Sequence, residues 1–220
     1  MGDKPIVCYF DLGIWDGCQA GWMVDKIFPD LGITNYRVYG FEANKENCEY
    51  VKNRFKDDGR FSIHHKAIAN ENKVGPLYHG YNDKGRRYCS DSIFKDKVNV
   101  RDNDFELVEY ISFSDWLNQN VLDLRLTFNI LKFNIEGAEG YLMRGLADAG
   151  LIGVFDIYCG ASPDMPKIKS LRADYTKYQK LLNEYNIKMY WFAGGSKTTP
   201  TKTIENMKQL IHKKMSEEKI

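Results

Sequence analysis

Short unbroken apolar runs alternate along this chain with stretches in which apolar residues recur every three or four positions. Ile6–Leu12 (IVCYFDL) is apolar throughout and closes on Asp-Leu-Gly, the pattern of a strand buried on both faces of a parallel sheet. Gly17–Phe28 then places Trp22, Met23, Ile27 and Phe28 at helical spacing, and Pro29 is expected to end that helix. Tyr36–Phe41 (YRVYGF) reads as a second strand stopping at Glu42, and Lys45–Phe55 as a helix capped by Asn44. Phe61–His65 with Ala67-Ile68 supplies a third strand. This β-α-β-α-β opening predicts a doubly wound α/β domain.

The pattern loosens between Glu71 and Asp104, where a hairpin at Gly75–Tyr81 and a mobile loop around Lys84–Ser92 are expected. Ser114 is placed to cap a short helix carrying Trp116 and Leu117. Leu126–Phe133 (LTFNILKF) returns to the buried-strand pattern and leads into a helix over Ala138–Ala149. Ile152–Tyr158 reads as a fifth strand, Ser170–Tyr185 as an amphipathic helix and Ile187–Ala193 as a last strand. Beyond Thr201, Ile204, Met207 and Ile211 keep helical spacing, so that segment is expected to pack on the body.

Composition narrows the class. The 220 residues, 43% of them hydrophobic, suit one domain over 1–220, with no linker or repeat to divide it. The balance of 31 Lys+Arg against 30 Asp+Glu lacks the basic excess of proteins held by nucleic-acid phosphates, so no nucleic-acid partner is expected. A small molecule or a glycan is the better partner, and no oligomeric state is implied. The five scattered cysteines form no C-x-x-C pair and indicate neither a zinc site nor a disulfide framework. With no signal-peptide pattern and no apolar run long enough for a membrane span, a cytoplasmic setting is expected.

Three segments carry candidate chemistry. Asp11-Leu12-Gly13-Ile14-Trp15-Asp16-Gly17 is a D-x-G-x-x-x-G turn between strand and helix, where glycine lets a ligand approach the main chain; taken alone, it serves strand-to-helix geometry equally well. It lacks the third glycine of the dinucleotide fingerprint. Glu42, at the end of the second strand, is placed to accept hydrogen bonds from both hydroxyls of a ribose. Leu131-Lys132-Phe133-Asn134-Ile135-Glu136-Gly137-Ala138-Glu139-Gly140 lies beyond a strand's carboxyl end, where open α/β sheets bind ligands. A helix N-terminus follows and favours Glu136 and Glu139 whatever their role.

The combination DLGIWDG, FEANKENCEYV, HHKAIAN, ISFSDWL and LKFNIEGAEGYLMRGL resembles the FkbM-type S-adenosylmethionine-dependent methyltransferases over about residues 6–158. The resemblance implies a Rossmann-like class I methyltransferase fold, with a mostly parallel seven-stranded sheet and helices on both faces. It implies S-adenosylmethionine as cofactor, with its methionine part at Asp11, Gly13 and Gly17, its ribose at Glu42 and its adenine along Ala67 and Ile68. Asn134 stands where the family usually has an aspartate, and the glutamate often ending the fifth strand is missing from Asp156-Ile157-Tyr158-Cys159-Gly160. Asn134 can still hydrogen-bond the ligand, but it cannot act as a base and is a poor metal ligand. No metal is therefore expected.

Methyl transfer to a hydroxyl needs a base within hydrogen-bond reach. Glu136 is the first candidate, followed by His65 and Asp164; His65 reads equally as a strand-end histidine and Asp164 as a turn cap. FkbM-like proteins include enzymes that O-methylate sugars and polyketide-type hydroxyls, and the abundant Tyr and Trp suit a carbohydrate acceptor. Lys84-Gly85-Arg86-Arg87-Tyr88 would suit an acidic acceptor or serve as a plain solvated turn. Two rivals stay open: a binding module that keeps the cofactor pocket without catalysis, which Asn134 favours, and an NAD-dependent sugar-modifying enzyme on the same fold.

Overall fold

The computed structural model describes residues 7–217 except 83, 86, 122 and 194–198, and the side chains of 87–89 also lie outside the description. The protein is α/β. The first strand, β1 (Val7–Leu12), is followed by α1 (Cys18–Trp22), a π-helical turn (Met23–Ile27) and α2 (Phe28–Asp30). Then come β2 (Tyr36–Glu42), α3 (Lys45–Arg54), β3 (Phe61–His65), β4 (Ala67–Ala69), β5 (Lys73–Tyr81), β6 (Arg87–Ser92) and β7 (Val100–Ser112). The rest of the chain forms α4 (Phe113–Asn120), β8 (Phe128–Phe133), α5 (Glu139–Asp148), β9 (Ile157–Gly160), α6 (Arg172–Glu184), β10 (Met189–Trp191) and α7 (Pro200–Glu217).

Six strands form one sheet in the order β10-β9-β8-β1-β2-β3, and every neighbouring pair is parallel. The chain builds outward from β1 through β2 to β3, then returns to β1's other side and builds through β8, β9 and β10. The direction of winding therefore reverses between β1 and β8, which is where such sheets leave a crevice at their carboxyl ends. Side chains of β1 alternate between two cores. Val7 and Tyr9 pack with Met23 and Ile27 of the π turn and with Met207 and Ile211 of α7. Cys8, Phe10 and Leu12 pack with Trp116 of α4, Leu142 and Met143 of α5 and Tyr178 of α6. Both faces being covered explains why β1 reads as an unbroken apolar run.

The remaining strands form a second, four-stranded sheet in the order β4-β7-β5-β6, with β4 parallel to β7 and the other pairs antiparallel. This sheet corrects two expectations. The third strand is two strands: the Lys66 N–H bonds to both the Glu42 and His64 carbonyls, which turns the chain, and Ala67–Ala69 then pairs with Tyr110–Ser112. Much of the loop expected at 84–92 is β6, paired with β5.

Smaller differences have local causes. Pro29 does not end its helix, because the preceding π turn hands the Phe28 N–H to the Met23 carbonyl and Pro29 enters the next turn near its start. Ser112 rather than Ser114 caps α4, its Oγ accepting from the Asp115 N–H. Ile152 and Phe155 are buried in irregular chain, so the fifth strand begins only at Ile157. The parallel sheet has six strands among the described residues where seven were expected; beyond β10 the described chain is α7, packed against the sheet through Met207 and Ile211. Among the described residues, no helix is long and apolar enough to cross a membrane. Cys8, Cys18, Cys48 and Cys159 are free thiols.

Candidate functional site

A cleft of about 910 Å³ opens at the carboxyl ends of the parallel strands. Gly13 (after β1), Glu42 (end of β2), Asn134 and Glu136 (after β8), and Ala161 and Asp164 (after β9) line it from the main sheet. The second sheet supplies the facing wall through Ala67, Ile68, Leu77, Ser90 and Asp91. Of the ten candidates named from the sequence, Gly13, Glu42, Ala67, Ile68, Asn134, Glu136 and Asp164 meet here; Asp11, Gly17 and His65 do not reach the surface of the cleft.

Gly13 has a φ of +76°, and a Cβ built on it would lie 2.1 Å from the Asn134 carbonyl oxygen. Only glycine lets the turns after β1 and β8 touch in this way. Gly17 also has a positive φ, +71°, but its added Cβ would meet the Phe55 ring. It forms the N-cap of α1 and shapes the turn rather than the ligand surface. Trp15, between them, has a φ of +53° and is 43% exposed on the cleft wall. Its N–H donates to Glu42 Oε2 at 2.8 Å, and the Asn44 N–H donates to Oε1 at 2.9 Å. Glu42 is thus clamped with a lone pair left on each oxygen, and burial pushes its carboxyl up to about 7.

Asp11 lies beneath the cleft. It is fully buried, opposite Lys132 in the β1–β8 register, with Lys132 Nζ 2.6 Å from Oδ1 and the Tyr9 hydroxyl donating to Oδ2 at 3.0 Å. The same ammonium donates to the Gly13 carbonyl at 2.8 Å. Burial raises the Asp11 carboxyl and Lys132 opposes the rise. The role of Asp11 is therefore to hold Lys132 under the Gly13 turn. His65 is likewise directed elsewhere: its Nε2 donates to the Ala43 carbonyl at 3.0 Å, bracing the chain that follows Glu42.

At the other end of the cleft, Glu136 and Asp164 face each other across Lys97. The Lys97 side chain is 1% exposed, and its Nζ contacts Glu136 Oε2, lies 3.0 Å from Asp164 Oδ2 and donates to the Ser90 carbonyl at 3.0 Å. Lys167 Nζ, at the surface, lies 2.5 Å from Asp164 Oδ1. Burial pushes the Glu136 carboxyl up, and the neighbouring Asp164 charge adds to the rise. Burial opposes ionisation of Asp164 too, but its hydrogen bond with Glu136 and the Lys97 ammonium hold it below the usual carboxylate range. Glu136 has a φ of +54°. Of the four non-glycine residues with left-handed backbone among the described residues, Trp15 and Glu136 thus lie on the cleft wall at either side of the switch point; such conformations cost about 1–3 kcal/mol each.

Lys97, Lys132, Trp15 and Asp91 were not singled out by sequence. Asp91 accepts from Asn44 Nδ2 at 2.8 Å and from the Gly80 N–H at 2.8 Å, with His79 Nδ1 at 3.2 Å, tying the second sheet to the Glu42 loop. Its segment, 84–92, reads as a loop in the sequence, which gave Asp91 no distinguishing signal. Lys132 was legible as a lysine inside an apolar strand, which needs a buried partner. Among the described residues, no group of three His, Cys, Asp or Glu side chains is arranged to hold a metal ion. No protein-family model, curated protein or solved structure matches the chain.

Proposed function

We propose that the protein is an S-adenosylmethionine-dependent O-methyltransferase of the FkbM type, with a class I methyltransferase arrangement of its sheet and a hydroxyl of a sugar or glycan as acceptor. The observation that carries this reading is Glu42: a clamped, buried carboxylate at the end of β2, one strand from the Gly13 turn, in a cleft at the switch point. The chain's groups suit the cofactor. Glu42 has one lone pair per oxygen for a ribose diol, Ala67 and Ile68 offer an apolar wall for adenine, and Gly13 and Asn134 line the cleft at the switch point, where the methionine end would lie.

The bound sulfonium supplies an electrophilic methyl group, so the protein's task is to orient the acceptor, exclude water and take a proton. Trp15 and Trp191 on the cleft wall provide flat apolar faces of the kind that pack on sugar rings, and Asp164 and Glu136 provide the proton acceptor. The cleft volume fits both substrates, since small-molecule sites span roughly 300–1,000 Å³.

Calorimetric titration with S-adenosylhomocysteine tests the reading, with NAD as control. Binding to the wild type should weaken by about 10- to 100-fold in Glu42→Gln, the loss of charge-assisted hydrogen bonds. Preference for NAD, or equal affinity in both proteins, would remove the methyltransferase reading.

A further inference from the structure

The carboxyl pair at the far end of the cleft has a feature that generic proton acceptance does not require: a buried lysine delivered from the second sheet. We propose that Lys97 is a positioning residue that holds Glu136 and Asp164 as a pair with one proton between them, leaving Asp164 as the carboxylate that takes the acceptor's hydroxyl proton. This rests on the methyl-transfer reading above.

Lys97 lies in the connection between β6 and β7, anchored by a backbone bridge to Ile168. All three ammonium hydrogens have acceptors, on Glu136, Asp164 and the Ser90 carbonyl. The group is therefore fixed in place. Counting charge from every packed element, Glu136 follows β8, Asp164 and Lys167 follow β9, and Glu139 opens α5 as a further buried acid. Lys167, 64% exposed, is partly screened by water and lies against Asp164, so the two carboxyls share one buried cation. Like charges at hydrogen-bond distance in a low-dielectric pocket do not both ionise, and the pair holds one proton. Asp164 has Lys97 and Lys167 as partners, whereas Glu136 has Lys97 alone, so the proton resides on Glu136.

The Glu136 backbone is itself fixed, in a left-handed conformation with its carbonyl accepting from the Ser92 hydroxyl at 2.7 Å. In the transfer, the acceptor oxygen bonds the methyl carbon, the carbon–sulfur bond breaks with its electron pair going to sulfur, and the hydroxyl proton passes to Asp164. The pair then carries two protons and no net charge, with Lys97 still in place to favour release of one to solvent.

Protein carrying ¹³C at the Asp and Glu side-chain carboxyls tests this by NMR titration, with Glu136→Gln and Asp164→Asn assigning the signals. In the wild type, Asp164 should titrate in two steps, one of them coinciding with Glu136, and Glu136→Gln should reduce it to one step. Lys97→Met should move both midpoints upward by about 1–3 pH units, and Lys97→Arg should restore them. S-adenosylhomocysteine affinity should stay unchanged in both lysine variants. A single-step Asp164 titration indifferent to Glu136→Gln overturns the pairing even if Lys97→Met does not fold; midpoints unmoved in a folded Lys97→Met overturn the role of the lysine. Absence of S-adenosylhomocysteine binding in the wild type would instead remove the methyltransferase reading, while the carboxyl titrations still report on the pair.

Discussion

At the scale of single residues, the site depends on carboxyls whose surroundings set them apart. Glu42 and Glu136 are acids in the same cleft, yet Glu42 receives two backbone N–H groups and Glu136 receives an ammonium. Glu42 must be ionised to accept from two hydroxyls at once. Because burial raises its carboxyl to about 7, affinity for S-adenosylhomocysteine should fall as pH is lowered from 8 to 6. Calorimetry at the two pH values checks this; an affinity that is flat, or stronger at pH 6, would remove Glu42 from the ribose site. Glu42 was legible from sequence because its place after an apolar strand is a local fact. The placement of His65 beside Ala43 was not, since a strand-end histidine reads the same whether it faces a ligand or a carbonyl.

At the scale of elements, the parallel pairing of β1 with β8 brings Asp11 opposite Lys132 and the Gly13 turn against Asn134. Lys132→Met would strand a buried carboxylate and should destabilise the fold by about 3–5 kcal/mol, whereas Asp11→Asn combined with Lys132→Met should recover much of that loss. Urea denaturation of the single and double variants measures the coupling, and additive losses would argue against the pair. The two glycines of the turn should also separate. Gly13→Ala puts a methyl into a backbone carbonyl and should cost more than the roughly 1–2 kcal/mol of a left-handed alanine, while Gly17→Ala meets a ring that can shift and should stay near that value. Equal losses in urea would show that the close approach at Gly13 is unimportant. The D-x-G-x-x-x-G spacing identified the turn, but which glycine touches the neighbouring segment depends on β8, more than a hundred residues away.

At the scale of the whole molecule, burial of acids sets an unusual pH response. Glu42 and Glu139 are both raised from 4.5 to about 7 by burial, so the folded chain binds more protons than the unfolded one between those values. Their stabilising contribution is complete below about 4.5 and is lost as pH rises through about 7, up to about 3 kcal/mol each. Asp58 and Asp164, whose carboxyls are lowered, act oppositely and only on the acid side of 3.8. Thermal denaturation should therefore give a higher Tm at pH 5.5 than at pH 8, and a Tm rising with pH would contradict this assignment. The sequence by itself determined the alternation of buried strands and helices, the two-sided core around β1, the Gly13 turn and Glu42, because each is written in the period or spacing of nearby residues. Only the tertiary structure decided that Ala67–Ala69 leaves the parallel strands for a second sheet, that this sheet walls the cleft, and that Lys97 reaches Glu136 and Asp164. Those contacts join segments tens of residues apart, and a strand's partner is set by the packing and backbone hydrogen bonding of the whole chain, which no local pattern encodes.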